Sequence, residues 1–276
     1  MSTTSPTTPA TDPADTGLAD IHEAWSLDRL CGDWYIHQLV KGHRFSTDDM
    51  VCAFEAARVH PSAERVLDLG AGIGSVGLMT LYRLANEAHL TMVEAQEISH
   101  RLACHTIRHN GLEHRIRARL GDLRDPGSLP EEEHGSYPLV TGSPPYIPLG
   151  KGVASPHPQR AACRMELRGD VFDYCATAAR ALAPDGTFSL VHSAVDPRPE
   201  QALDAAGLTL RSRRDVYFRR NRAPTIAVWI AGFGGERDDA RPLVIREADG
   251  AFTQDYVDLR AAMGAPVPAA GAPRVR

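Results

Sequence analysis

Arg65-Val66-Leu67-Asp68-Leu69-Gly70-Ala71-Gly72-Ile73-Gly74 is the stretch that decides the fold of this chain. A short apolar run ends in three spaced glycines. The segment that follows, 75–86, carries Val76, Met79, Leu81 and Leu84 among its apolar positions. The pattern predicts a buried strand, a tight turn and a helix. Glycines allow a sharp turn and let the backbone approach a ligand closely at the helix N-terminus.

Outward from this turn, strands are expected at 65–69, 90–94, 116–120, 137–141, 187–192, 209–218 and 225–231. Helices are expected at 75–86, 96–110, 169–182 and 200–206, with a turn at Pro184-Asp185-Gly186. Such alternation predicts an α/β fold with a doubly wound sheet. Only a short arginine-rich connection joins the last two strands, so they should pair antiparallel. The expectation is a seven-stranded, mostly parallel sheet with one antiparallel strand, in a domain spanning 61–233. Upstream, 21–60 reads as a helical approach segment ending in a helix over 48–59 with Thr47 or Asp48 as its cap. Residues 1–20, rich in Ser, Thr, Pro and Asp, read as a disordered tail. Residues 234–276 read as a C-terminal extension, partly mobile after Gly264.

The chain has 276 residues, 43% of them apolar, and a formal net charge of −5. A polyanionic partner would therefore need a local basic patch and not the global field. No apolar run is long enough to span a membrane. The five cysteines are scattered without a Cys-x-x-Cys pair, which argues for reduced thiols in a cytoplasmic protein and against a disulfide frame or a structural zinc site.

Two acids extend the glycine turn. Glu94 ends the second strand, about twenty residues on, where a carboxylate can accept hydrogen bonds from ribose hydroxyls. Asp122 follows the third strand, where it can meet an adenine amine. Gly72-x-Gly74-x-x-Gly77 also fits a dinucleotide fingerprint, so a nicotinamide oxidoreductase remains an alternative. Asp68, two residues before the first glycine, suits an ammonium group and would repel a pyrophosphate. With the next motif, this favours S-adenosylmethionine as the cofactor, held by Asp68, Gly70, Gly72, Gly74, Glu94 and Asp122.

That motif is Ser143-Pro144-Pro145-Tyr146, at the carboxyl end of the fourth strand, where open α/β sheets place ligands. Paired prolines stiffen the backbone. Ser143 Oγ and the Pro144 carbonyl can accept hydrogen bonds from an exocyclic amine, and the Tyr146 ring can stack on a planar base. The reaction this suggests is methyl transfer onto a planar nitrogen, with catalysis mainly by positioning.

Gly42-His43-Arg44-Phe45-Ser46-Thr47-Asp48-Asp49, the 65–74 stretch and Ser143-Pro144-Pro145-Tyr146, in that order, resemble the bacterial tRNA adenine-N6 methyltransferases that act on valine tRNA. The resemblance covers 30–232. It implies a Rossmann-like class I methyltransferase fold, a tRNA or other RNA substrate, and a place for Arg44, Thr47 and Ser143 near the methionine end of the cofactor. Thr47 and Asp48 serve equally well as a helix cap. The family usually carries Asn where this chain has Ser143, and Ser also occurs in cytosine-N4 methyltransferases. Cytosine N4, a glutamine amide and a small planar amine therefore stay open as acceptors. Enzymes that methylate glutamine carry a larger helical domain ahead of the glycine loop than the sixty or so residues found here.

Arg160, Arg164 and Arg168 recur every four residues after the acceptor motif. A second group runs from Arg211 to Arg222 and includes Arg219 and Arg220. Both are candidate RNA contacts, since phosphates need such clusters; a solvated face would look the same. His105 and His109 lie one helical turn apart without a third ligand, which reads as a solvated helix surface and not a metal site.

Overall fold

A computed structural model of the chain describes Leu18 and residues 21–266. The sequence-based readings of 1–20 and of the end of the C-terminal extension fall mostly outside these residues. The main sheet has eight strands in the order β10-β8-β9-β7-β6-β3-β4-β5. They are β3 (Arg65–Leu69), β4 (His89–Glu94), β5 (Ile116–Leu120), β6 (Tyr137–Gly142), β7 (Leu182–Ser193), β8 (Thr209–Tyr217), β9 (Ile226–Gly232) and β10 (Leu243–Val244). β9 runs antiparallel to both its neighbours, and every other pairing is parallel. The seven expected strands are present. The eighth, β10, lies in the stretch read as a C-terminal extension and adds only two residues beside β8. The turn expected at 184–186 lies inside β7, where the register against β6 shifts between Tyr137 and Leu139.

From β3 the chain moves outward through α2 (Ser75–Arg83), β4 and α3 (Glu97–His109) to β5, then crosses back to place β6 on the other side of β3. The strand order therefore reverses between β3 and β6, and ligands of open α/β sheets bind outside the carboxyl ends at such a point. Alternation along β3 serves both faces. Val66 packs in the core shared by α1 (Thr47–Val59), α2 and α3, whereas Leu67 and Leu69 pack in the opposite core beside α5 (Val171–Ala181). Asp68 falls between these two leucines and points with Val66.

The segment read as a helical approach is corrected over its first half. Residues 25–39 form a β-hairpin, β1 (Trp25–Cys31) and β2 (Trp34–Leu39), turned at Gly32 with φ +51°. The hairpin buries Leu30, Cys31, Ile36 and Leu39 and docks on α3. There the Tyr35 and His37 amides donate to Asn110 Oδ1 (2.8 Å) and Thr106 Oγ1 (2.9 Å). His105 lies buried beneath this hairpin, not on a solvated helix face, with its ring 6.1 Å from that of His37. Ser46, not Thr47 or Asp48, caps α1, and its amide donates to Asp49 Oδ2 (3.0 Å).

The remaining helices are α4 (Pro158–Arg164), α6 (Arg198–Ala205) and α7 (Gln254–Ala262). α7 was not expected. It buries Tyr256 and Leu259 in the α1 side of the core, as does Met263 just beyond it, at about 1.5–3 kcal/mol for each apolar side chain fully buried. No helix among the described residues is long and apolar enough to cross a membrane.

Candidate active site

The glycine turn builds the first wall of the site. Gly70, Gly72 and Gly74 have φ of +57°, +58° and +92°, the left-handed region that other residues enter at a cost. A methyl group on Gly70 would lie 1.7 Å from Tyr174 Oη, so this turn also needs Gly70 for close packing. At Gly72 the position of the missing methyl meets nothing within 4 Å, because that residue faces open cavity.

Two buried acids hold the turn from below. Asp68 Oδ1 accepts from Thr141 Oγ1 (2.7 Å) and Oδ2 from the Gly77 amide (2.9 Å), which ties β3, β6 and α2 together. Glu94 Oε2 accepts from the Gly72 amide (2.8 Å) and Oε1 from the Gln96 amide (2.6 Å). A carboxylate oxygen has a second lone pair, so both acids keep acceptor capacity toward a ligand.

The opposite wall is the loop that leaves β6. The Tyr146 hydroxyl donates to Asp48 Oδ2 (3.2 Å) on α1, and its ring lies 4.7 Å from the buried His192 ring at a tilt of 53°. Burial and the negative charges of Asp48 and Asp49 push the Tyr146 phenol well above its ordinary range, so it stays a neutral donor.

Between these walls lies a cavity of about 480 Å³. Asp48, Asp49, Asp68 and Glu94 all line it. Burial pushes Asp68 up to about 7 against its hydrogen bonds from Thr141 and Gly77. Burial, then the Asp48 charge, pushes Asp49 up to about 8, although Asp49 Oδ2 also accepts from Ser75 Oγ (3.0 Å). Glu94 is raised by burial as well. Desolvated carboxyls that resist ionisation favour a cationic ligand, which lowers their pKa values, and oppose a pyrophosphate. S-adenosylmethionine carries a sulfonium and an ammonium group, and the residues present fit it: an acid-rich chamber, an open face at Gly72, and Glu94 at the strand end.

Of the residues singled out from sequence, Arg44, Asp68, Gly70, Gly72, Glu94, Ser143, Pro144, Pro145, Tyr146, Arg160, Arg164 and Arg168 line this cavity. Arg44 does so while bonded to Ser26 Oγ and Asp28 Oδ2 of the hairpin (both 3.0 Å). Arg168 donates to the Ala95 carbonyl (2.8 Å). Thr47 is turned away, with its hydroxyl 3.3 Å from Tyr256 Oη on α7. Gly74 caps α2 beneath the turn, where an added methyl would meet Met92. Asp122 is replaced in the lining by its neighbours Gly121 and Leu123, because its carboxylate folds back onto Arg124 (2.6 Å).

Arg219 and Arg220 follow β8. That strand runs parallel to β7, so they share the carboxyl edge of the sheet with the site without lining it. Arg220 pairs with Glu247. Arg211, Arg213 and Arg214 serve the fold: Arg211 donates to the Gly186, Phe233 and Gly234 carbonyls, Arg213 lies over the Trp229 ring, and Arg214 pairs with the buried Glu55 (2.9 Å).

Sequence reasoning missed His43, Asp49, Gln96, Cys163 and Tyr174 as lining residues. Asp49 had a readable signal, the Ser-x-x-Asp capping pattern from Ser46. Tyr174 had none, since it reaches Gly70 from a helix about a hundred residues downstream.

Residues 47–148 match the family model for the methyltransferase small domain. The tRNA1(Val) (adenine(37)-N6)-methyltransferase of Tolumonas auensis is 27% identical over 198 residues, 71% of this chain and 80% of that protein. The protein of the same name from Salmonella enteritidis is 29% identical over 199 residues, 71% and 78% of the two chains. Among solved structures, the predicted O-methyltransferase Atu636 of Agrobacterium tumefaciens superposes with a TM-score of 0.59 at 21% identity, covering 81% of this chain and all of that one. P. horikoshii TYW2 in complex with MeSAdo superposes with a TM-score of 0.52 at 15% identity, covering 76% and 71%. Both superpositions bear on the fold alone.

Proposed function

We propose, from the premise that the chain is an S-adenosylmethionine-dependent methyltransferase of the Rossmann-like class I fold, that it methylates the exocyclic N6 amine of adenine in tRNA. The observation that carries this reading is the place of Ser143-Pro144-Pro145-Tyr146. The motif forms a wall of the acid-lined cavity, beside the strand-order reversal. The relatives named for adenine-N6 methylation of a valine tRNA support the choice of acceptor. The nicotinamide alternative is disfavoured, because four carboxyl groups line the cavity and the relatives are named for methyl transfer.

An aromatic amine is a weak nucleophile because its lone pair is delocalised into the ring. Ser143 Oγ and the Pro144 carbonyl accept its two N–H bonds, drawing the nitrogen toward tetrahedral geometry and localising the pair. The Tyr146 ring supports the base. Asp68, Glu94 and the Gly70–Gly72 turn would hold the cofactor, which supplies an electrophilic methyl group when bound. The residues contribute orientation and exclusion of water, and the amine proton leaves to solvent after transfer.

Arg160 and Arg164 stand exposed at the cavity with no ion-pair partner among the described residues, and Arg168 also lines it. In a chain of net charge −5 they are the local cations suited to the phosphates flanking the target base. Arg219 and Arg220 extend the same edge toward a more distant part of the RNA.

The test is nucleoside mass spectrometry of tRNA from a strain lacking the gene, with methylation of that tRNA by the purified protein. Loss of N6-methyladenosine and its restoration support the reading. An unchanged tRNA profile overturns it, and N4-methylcytosine in its place assigns the acceptor that Ser143 left open.

A further inference from the structure

His192 is the penultimate residue of β7 and has no exposure to solvent, directly behind the Ser143–Tyr146 loop. Its ring supports that of Tyr146 at 4.7 Å. Its Nδ1 is 3.8 Å from Asp196 Oδ2, beyond hydrogen-bond distance. Neither ring nitrogen has a partner at full hydrogen-bond geometry, although the backbones of Pro145 and Ser193 stand close enough to favour its charged form. Burial outweighs them and holds the group at about 4, so the imidazole is neutral near pH 7 with one N–H.

An aliphatic side chain would fill this space without leaving polar atoms unmet, and buried polar groups in folded proteins almost always find partners. Proline offers no N–H, so the Pro145 backbone can engage His192 only through its carbonyl, as acceptor. Hydrogen bonds that matter in a reaction are often long before substrate binds and tighten with it. Asp196 is itself fixed by Arg198, whose other arm reaches Glu166 (2.7 Å). The Glu166 amide donates to the Ile147 carbonyl (3.0 Å), one residue beyond Tyr146. His192 is thus bordered by the acceptor loop on one side and by an ion-pair chain that returns to that loop on the other.

We propose that His192 is a positioning residue for methyl transfer: its N–H closes on the Pro145 carbonyl when the acceptor base enters, and this sets the direction of the neighbouring Pro144 carbonyl that receives the amine. The proposal rests on the methyltransferase reading above.

The experiment compares His192→Phe, which keeps a ring against Tyr146 without a donor, with His192→Asn, which restores an N–H donor. Melting temperature and cofactor affinity are measured for both. His192→Phe should lower kcat about tenfold, the worth of one hydrogen bond, with KM for RNA and cofactor affinity unchanged, and His192→Asn should recover most of the loss. Full kcat in His192→Phe overturns the proposal. So does an equal loss in both variants, which would make the imidazole a packing element only. The 15N spectrum of His192 in the wild-type protein provides a readout independent of turnover. A single tautomer with a slowly exchanging N–H once base and cofactor analogues are bound is expected, and a freely exchanging mixture overturns the proposal even if methylation itself is established.

Discussion

The Tyr146 hydroxyl donates to Asp48 Oδ2 across 3.2 Å, joining the loop that would receive the base to the first turn of α1, which lines the acid side of the cavity. One tyrosine therefore ties the loop that leaves β6 to α1. Tyr146→Phe keeps the ring and cuts the tie, so kcat should fall about tenfold with little change in cofactor affinity. Tyr146→Ala removes the base support as well and should abolish turnover while calorimetry still shows cofactor binding. Loss of cofactor binding in Tyr146→Ala would make the ring a structural element.

Gly70 and Gly72 share nearly the same φ but differ in what surrounds them. Placing an alanine in the left-handed region costs about 1–2 kcal/mol, and Gly70→Ala adds a clash with Tyr174. Gly70→Ala should thus lower the melting temperature clearly more than Gly72→Ala. Gly72→Ala should fold yet bind cofactor more weakly, because its methyl projects into the cavity. Equal melting temperatures would contradict the close approach of Tyr174.

The buried acids give the free protein a pH signature. Asp68 and Asp49 titrate near 7 and 8 in the folded chain, against 3.8 for an unperturbed aspartate. The folded state therefore binds more protons between these limits, and its stability should fall as pH rises from about 4 to 8. A cationic ligand lowers both values, so its binding releases protons and its affinity should rise with pH through 7 to 8. Calorimetry in buffers of different ionisation enthalpy counts those protons. An affinity that is flat or falls with pH would contradict the acid cage.

The arginines separate by salt dependence. Replacing Arg160 and Arg164 by glutamate should raise KM for RNA and make the slope of log affinity against log salt shallower by about one to two, as expected for lost contacts to single-stranded phosphates. Reversal of Arg219 and Arg220 should act more weakly, since Arg220 already pairs with Glu247. An RNA affinity insensitive to all four substitutions would remove the carboxyl edge as the docking face.

The central turn was legible because its demands are local: positive φ at Gly70, Gly72 and Gly74, and an acid at the end of β4. The Ser143-Pro144-Pro145-Tyr146 loop was legible as a stiff segment at the end of β6, because two prolines cannot continue a central strand. The hairpin was not, since His37 and Gln38 are polar yet buried, and that burial comes from α3 and from contacts with Asp28 and Phe45. Nor could spacing tell that Arg213 and Arg214 serve Glu200, Asp215 and Glu55. An arginine reads the same in sequence whether its partner is a phosphate or a carboxylate brought close by the fold.

The Gly32 amide donates to the Gly264 carbonyl at 2.8 Å, so the turn of the first hairpin is closed by a residue near the far end of the chain. Tyr256 of α7 likewise meets Thr47 beside the acid-bearing turn of α1. During synthesis at about 5–20 residues per second, the glycine turn and the acceptor loop leave the ribosome well before these covers do. A nascent chain thus holds the glycine turn and the Ser143–Tyr146 loop in an unfinished vessel, and its competence to methylate should appear late, when α7 settles over α1.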